Sequence, residues 1–213
     1  MAYRRTASVE ARLAGTRRRL LDAGVDLLAQ DGYNGLTVDA LARAAGVATG
    51  TVYRHFSGKP ALVTELFREL AATELAAVRR AAAGPRPAPD RLAAAVATFA
   101  ARALAAPRVA FALLAEPADP AIDVARLAFR RAYAELFAGL IAEAVDAGEL
   151  PPQDPAVSAA ALVGAIGEAL IVPLAAPPRV PAGSADRLIA ELIGFCLRGA
   201  GGSGPHRESR LPA

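Results

Sequence analysis

Apolar residues return every three or four positions through most of the chain, and nowhere do they alternate with polar ones long enough to read as strands. Starting at Arg17, or as early as Val9, and running to Gln30, the residues Leu20, Leu21, Ala23, Gly24, Leu27 and Leu28 share one helical face. Asp31-Gly32 ends that helix, with Gly32 expected as a left-handed cap, and Tyr33 and Leu36 cover a small core. The next helix is short, about residues 38–45. Thr37 can accept from its first free amides, Asp39 suits its positive end, and Leu41, Ala42 and Ala45 make its apolar face. Gly46 has the freedom to take a positive φ, Val47 plugs the corner, and another short helix starts near Ala48, with Val52 and Phe56 facing inward. Ser57 reads as an N-cap and Pro60 as a first-turn residue of a long helix to about Ala83, which the run GPRPAP stops. Further helices are expected near residues 90–106, 108–115, 121–147, 155–174 and 184–198, with turns at proline clusters.

Two short helices pinned at a steep angle form a unit that sets the second of them in a DNA groove. On that second helix Thr49, Gly50, Thr51, Tyr53, Arg54 and His55 are left on the outward faces, and most are hydrogen-bond donors. Gly50 has no side chain to hold the backbone away from DNA. Thr49 and Thr51 can offer a hydroxyl or a methyl to base edges, and Arg54 can fork onto guanine or phosphate. Tyr53, His55 and Lys59 suit phosphate oxygens. Taken singly, Tyr53 or His55 could instead cap the three-helix core.

The stretch TRRRLLDAGVDLLAQDGYNGLTVDALARAAGVATGTVYRHFSGKPAL, residues 16–62, resembles the N-terminal pattern of the tetracycline-repressor (TetR) family of bacterial transcription regulators. The resemblance implies an all-α fold with a three-helix helix-turn-helix DNA-binding domain followed by a helical ligand-binding and dimerisation domain. It implies that Thr37, Tyr53, His55 and Lys59 hold phosphates while Thr49, Gly50 and Thr51 approach bases. Two positions depart from the pattern. Ala48 stands where the family often has a serine that caps the recognition helix, and Thr49 where a longer basic or polar residue is common. The docking mode carries over and the preferred DNA sequence does not. The expected division is residues 1–60 for DNA binding, 61–199 for the helical ligand-binding and dimerisation domain, and 200–213 as a disordered tail without the apolar residues to fold.

Composition narrows the function. A chain of 213 residues that is 54% hydrophobic and 21% charged can bury a substantial core in one or two domains. Cys196 is the only cysteine, so no internal disulfide forms, and it reads as a small buried apolar residue. The N-terminus lacks an apolar signal core, which points to the cytoplasm. The net charge of +3 is unevenly spread: residues 1–60 carry nine basic against five acidic side chains, and the rest of the chain carries a slight acidic excess. Lys59 is the only lysine, and arginine fills every other basic position. Arg4 and Arg5 form either an arm along DNA or a solvated tail, and His206 reads as a solvated tail residue.

In the C-terminal part Phe129, Tyr133, Phe137, Leu140 and Ile141 make a stripe that faces the interior, and Phe67, Phe99 and Phe111 could complete an apolar chamber with it. Such a stripe is either plain core or the lining of a ligand pocket, and the resemblance favours a pocket for a small-molecule inducer. Its polar contacts would come from Tyr133, Arg102, Arg130 or Glu168. Residues 155–178 carry one charge, Glu168, and by hydropathy alone could span a membrane. The central Glu168, Gly164, Gly167, Pro173 and the missing basic flanks argue instead for a helix buried on nearly all sides. Together with the wide apolar face of Leu188, Leu192 and Ile193 it suggests a four-helix interface of a homodimer. Glu168 is then an interface residue or the pocket's carboxylate. The expected function is a repressor that leaves a palindromic operator when a small molecule binds, with no cofactor and no metal. An all-α enzyme acting on an anionic substrate has no evident catalytic owner in a chain with two histidines and one cysteine. A helical sequestering protein with a degenerate DNA-binding domain is the remaining alternative.

Overall fold

The computed structural model describes residues 7–117, 120–175 and 183–201. The readings for Arg4, Arg5, His206 and nearly all of the tail lie outside the described residues. The described chain holds nine α-helices and no strand, as the apolar spacing predicts: α1 (Ala7–Gly35), α2 (Val38–Ala44), α3 (Thr49–His55), α4 (Lys59–Ala81), α5 (Ala88–Ala105), α6 (Pro107–Leu114), α7 (Pro120–Asp146), α8 (Pro155–Ala175) and α9 (Ser184–Gly199). The chain divides into two compact units. One takes residues up to Leu70 together with Arg108–Arg126, and the other takes Ala71–Pro107 and the chain from Leu127 onward.

The first unit is built on a core of Leu20, Leu28, Leu36, Leu41, Val52 and Leu66, each almost wholly removed from solvent. Burying one such side chain stabilises the unit by about 1.5–3 kcal/mol. The core does not stop at residue 60. Leu62, Val63 and Phe67 from the start of α4, Ala112 and Leu113 from α6, and Ile122 from α7 all pack into it. Gly32 departs from the expected left-handed cap. Its φ of 68° is paired with ψ −168°, so it kinks α1 in a backbone region that L-residues rarely adopt. Thr37 caps α2 as expected, its Oγ accepting from the Ala40 N–H at 3.1 Å. Gly46, at φ 65°, closes α2 with a double bond pattern: Val47 N–H reaches the Ala42 carbonyl at 2.9 Å and Gly46 N–H the Arg43 carbonyl at 3.2 Å. Ser57 does not cap α4. The helix opens one residue later, and the Gly58 carbonyl accepts from Leu62 N–H, because Pro60 occupies the second position of the first turn.

In the second unit α5 packs against α8 and α9, and these two pack against each other. Ala95 and Ala100 are fully buried on α5, and small side chains there let neighbouring helices approach closely. Arg91 donates to the Ala82 carbonyl and pairs with Glu143, while Glu149 accepts from the Ala88 N–H at the start of α5. On α8 the residues Ala159, Leu162, Ile166, Leu170 and Leu174 form one buried stripe. Its other faces are open, with Val157 at 66% and Val172 at 75% of full exposure. By length and composition α8 could cross a membrane.

Candidate nucleic-acid interface

The helix-turn-helix of α2 and α3 leaves a donor-rich face outside. Val52 and Phe56 anchor α3 in the core, which turns Thr49, Gly50, Tyr53 and Arg54 to the surface; Tyr53 is 57% exposed. Ala48 adopts an extended N-cap conformation with no side-chain cap, as its methyl group requires. The Thr49 hydroxyl donates to Asp39 Oδ1 at 3.2 Å and so ties α3 to α2. Arg54 lies along its own helix, its Nη2 donating to Thr51 Oγ at 2.9 Å. Thr51 and His55 are half-buried, and Thr37 is exposed with its hydroxyl proton still available. A Cβ added at Gly50 would meet no atom within 4 Å, so this stretch of backbone is open to a close partner.

Two of the phosphate candidates are more deeply embedded than their spacing suggests. Lys59 is half-buried, donates to the Tyr33 carbonyl at 2.9 Å and places its Nζ 4.1 Å from the Tyr33 ring centre. Burial lowers its pKa, and the nearby Glu116 carboxylate opposes that shift. The His55 imidazole also sits below its ordinary range, chiefly through burial and further through the positive charges of Arg17 and Arg54. Arg17 supports this corner from α1. Its Nη1 donates to the His55 carbonyl at 3.0 Å, its guanidinium covers the Phe56 ring at 4.6 Å, and it pairs with Glu65.

Arg17, Glu116 and Arg126 are supporting residues that spacing alone did not bring out. Both carboxylate oxygens of Glu116 accept from the Tyr33 N–H, at 3.2 and 3.1 Å, directly after the Gly32 kink. Arg126 of α7 donates to the carbonyls of Ala112 and Glu116 at the end of α6 and lies over the Phe67 ring. For Arg17 a signal exists: it lies one turn before Leu20 and Leu21 on their helical face. For Glu116 no local signal exists, because its partner is 83 positions away.

Of the six residues read as a chamber, four lie together in the second unit: Phe99, Phe129, Tyr133 and Phe137. Phe67 belongs to the core of the first unit, and Phe111 lies on α6 in that unit. Among the polar candidates, Arg130 and Glu168 are exposed, while Arg102 makes a two-pronged bond to Glu74 at 2.5 and 2.7 Å. Of the residues read as an interface, Gly164 lies on the open side of α8, where an added Cβ would meet nothing within 4 Å, and Gly167 is equally free. Leu188 and Ile193 are half-buried. Leu192 is not on an open face: it is 5% exposed, having turned inward with Cys196 as α9 packs on its neighbours. Phe195 is the large apolar side chain that α9 leaves outside.

Comparison with known proteins bears on both halves. Residues 20–66 match the model for bacterial regulatory proteins of the tetR family, and residues 85–169 match a tetracyclin repressor-like C-terminal domain. The fatty acid metabolism regulator protein of Bacillus subtilis is 39% identical over 51 residues, which are 24% of this chain and 26% of that protein. The HTH-type transcriptional repressor KstR of Mycobacterium tuberculosis is 39% identical over 72 residues, 33% of each chain. The matched segment thus spans about a quarter to a third of these curated relatives. Solved structures extend the likeness of fold to most of the chain. The regulator FadR from Bacillus subtilis in complex with stearoyl-CoA superposes with a TM-score of 0.73 at 19% identity, covering 85% of this chain and 98% of that one. A tetR-family regulatory protein from Rhodococcus RHA1 gives 0.67 at 24% identity over 88% and 98%. With its DNA-binding segment and its C-terminal domain both matched, the chain belongs to the tetR family of bacterial regulatory proteins.

Proposed function

We propose that this protein is a cytoplasmic homodimeric repressor that occupies a palindromic DNA operator and is released from it by a small molecule. The observation that carries the reading is the exposed face of α3: Gly50 leaves the backbone open, and Tyr53 and Arg54 stand outside while Val52 and Phe56 lock the helix to its core. Thr49, Gly50, Thr51 and Arg54 approach base edges, and Thr37, Tyr53, His55 and Lys59 approach phosphates. Lys59 keeps two further protons for a phosphate after its bond to Tyr33.

Three observations support the rest of the reading. The open apolar side of α8, with Val157, Gly164 and Val172, together with Phe195 on α9, suits a second copy of the chain better than water or lipid, since two such helices from each subunit close into a bundle. The aromatic cluster around Tyr133 suits an apolar ligand, and a protein of the same fold binds stearoyl-CoA. The curated relatives are transcription regulators, which favours a regulator over an enzyme.

Selection of bound sequences from random duplexes by the purified protein tests the reading. The expected result is a two-fold symmetric consensus, bound with an affinity that falls steeply with salt as phosphate contacts release counterions. Failure to enrich any duplex, or enrichment without symmetry, overturns it.

A further inference from the structure

The hydroxyl of Tyr133 is buried and has no hydrogen-bond partner among the described residues. Tyr133 itself is 4% exposed. Its ring meets Phe129 at 4.7 Å and Phe99 at 5.1 Å between centroids, both edge to face, and Phe137 at 6.3 Å. Phenylalanine would satisfy every one of those ring contacts. The oxygen adds only a buried polar group, and a buried donor left unmade is uncommon and destabilising. Its presence makes sense if something else brings the acceptor.

The surroundings define that acceptor. Burial, reinforced by Glu74, drives the phenol pKa upward against the opposing charge of Arg102, so the group is an O–H donor at every working pH. The two nearby charges are spent on each other, since Arg102 grips both oxygens of Glu74. Arg130 and Glu168 are turned to solvent. A carboxylate or an ammonium brought to Tyr133 would therefore be desolvated among phenyl rings where, among the described residues, the charges that act on Tyr133 are already paired, which is far costlier than burying a neutral carbonyl.

We propose that Tyr133, Phe99, Phe129 and Phe137 form a binding site for an apolar molecule bearing one uncharged carbonyl, as in a ketone, ester or thioester, whose oxygen accepts from the Tyr133 hydroxyl. This rests on the ligand-responsive reading above and assigns the chemistry of its ligand.

The test uses three probes of one chain length, nonan-2-one, nonanoate and nonylammonium, titrated calorimetrically into the full-length protein and into Tyr133→Phe, which keeps the ring packing. The ketone should bind the wild type at least about tenfold more tightly than either ion, and Tyr133→Phe should lose about tenfold for the ketone alone, the effect of one neutral hydrogen bond. The carbonyl stretch of carbonyl-labelled nonan-2-one should move to lower frequency on the wild type and return in the variant. Tighter binding of either ion overturns the ligand class. Ketone affinity and carbonyl frequency that are equal in the two proteins overturn the role of Tyr133. No binding of any probe, with Tyr133→Phe more heat-stable, makes the hydroxyl an ordinary buried defect and overturns the site. Operator affinity measured beside each titration separates the two levels. Tyrosine-dependent ketone binding with unchanged operator affinity leaves the site standing and removes the ligand-released repressor, and release by a compound of another class does the reverse.

Discussion

Lys59 is the residue whose role changes most between spacing and structure. Its ammonium is bound to the Tyr33 carbonyl and lies over the Tyr33 ring, so it serves the fold as well as any phosphate. Lys59→Ala is expected to lower stability by about 1–2 kcal/mol besides weakening all duplexes equally and flattening the salt slope by about one unit. Arg54→Ala, which removes an exposed side chain bonded within its own helix to Thr51, should change base preference with a melting temperature close to wild type. Thermal melts and binding at several salt concentrations separate the two. His55 supplies the pH dependence. Its folded pKa lies below the ordinary 6.5, so the unfolded chain takes up the proton first. The stability it contributes is complete above about pH 6.5 and is lost as pH falls through the folded value. Denaturant midpoints between about pH 7.5 and about pH 5.5 should fall more for wild type than for His55→Gln. A phosphate beside the imidazole pulls its pKa back up, so operator affinity should rise over the same interval in wild type only. At this scale the sequence disclosed what is local, such as Thr37 reaching Ala40 three positions on. It could not disclose where Lys59 or Arg17 ends, because a long flexible side chain takes its partner from tertiary position.

From α2 onward helix limits were legible to within one or two residues, since periodicity and the Gly and Pro that interrupt it act over a single turn, whereas α1 runs on to Gly35, past its expected end at Gln30. The junction of α1 with α2 shows what periodicity misses. Gly32 was readable as a stop, but the kink it makes is fixed by Glu116, which binds the next N–H from the far end of α6. Arg126 holds that end of α6 by its carbonyls. Gly32→Ala combines a positive φ with a Cβ placed 2.9 Å from Glu116 Oε1, and it should cost more than the roughly 1 kcal/mol expected of a left-handed position alone. Glu116→Ala, which leaves the Tyr33 N–H unmet, should destabilise the first unit by about 1–3 kcal/mol, and Glu116→Gln by clearly less because an acceptor remains. Chemical denaturation followed by circular dichroism checks all three. Equal losses for Ala and Gln would show that the carboxylate's charge, and not its hydrogen bonds, matters there.

At the scale of the whole molecule the open side of α8 is the feature on which the proposed homodimer rests. Val172 touches so little within its own chain that Val172→Glu should leave the helical signal intact while converting dimers to monomers and lowering operator affinity by lost avidity. Leu192→Arg, at a buried position, should unfold the second unit instead. Sedimentation at micromolar concentration distinguishes these outcomes, and a monomeric wild type would remove the homodimer from the proposal. The sequence foretold a wide apolar face on α9 but not which residues the chain itself would consume. Leu192 and Phe195 are both apolar, and the way α9 packs on α5 and α8 decides that one is inside and the other out. Linkage sets a last requirement: a ligand that releases operator must itself bind more weakly, by the same factor, to the operator complex.

Cys196 gives this molecule a built-in clock. Its thiol is 1% exposed and burial pushes its pKa up to about 11, so in the closed structure it is out of reach of a reagent and short of the thiolate that reacts. No second cysteine competes for the label. The rate at which a maleimide consumes it therefore counts how often α9 swings clear, and with fast reclosing it converts into the free energy of that opening. Anything that clamps the second unit, a small molecule or a second subunit, must slow that clock, and the slowing can be read without DNA and without knowing what the clamp is.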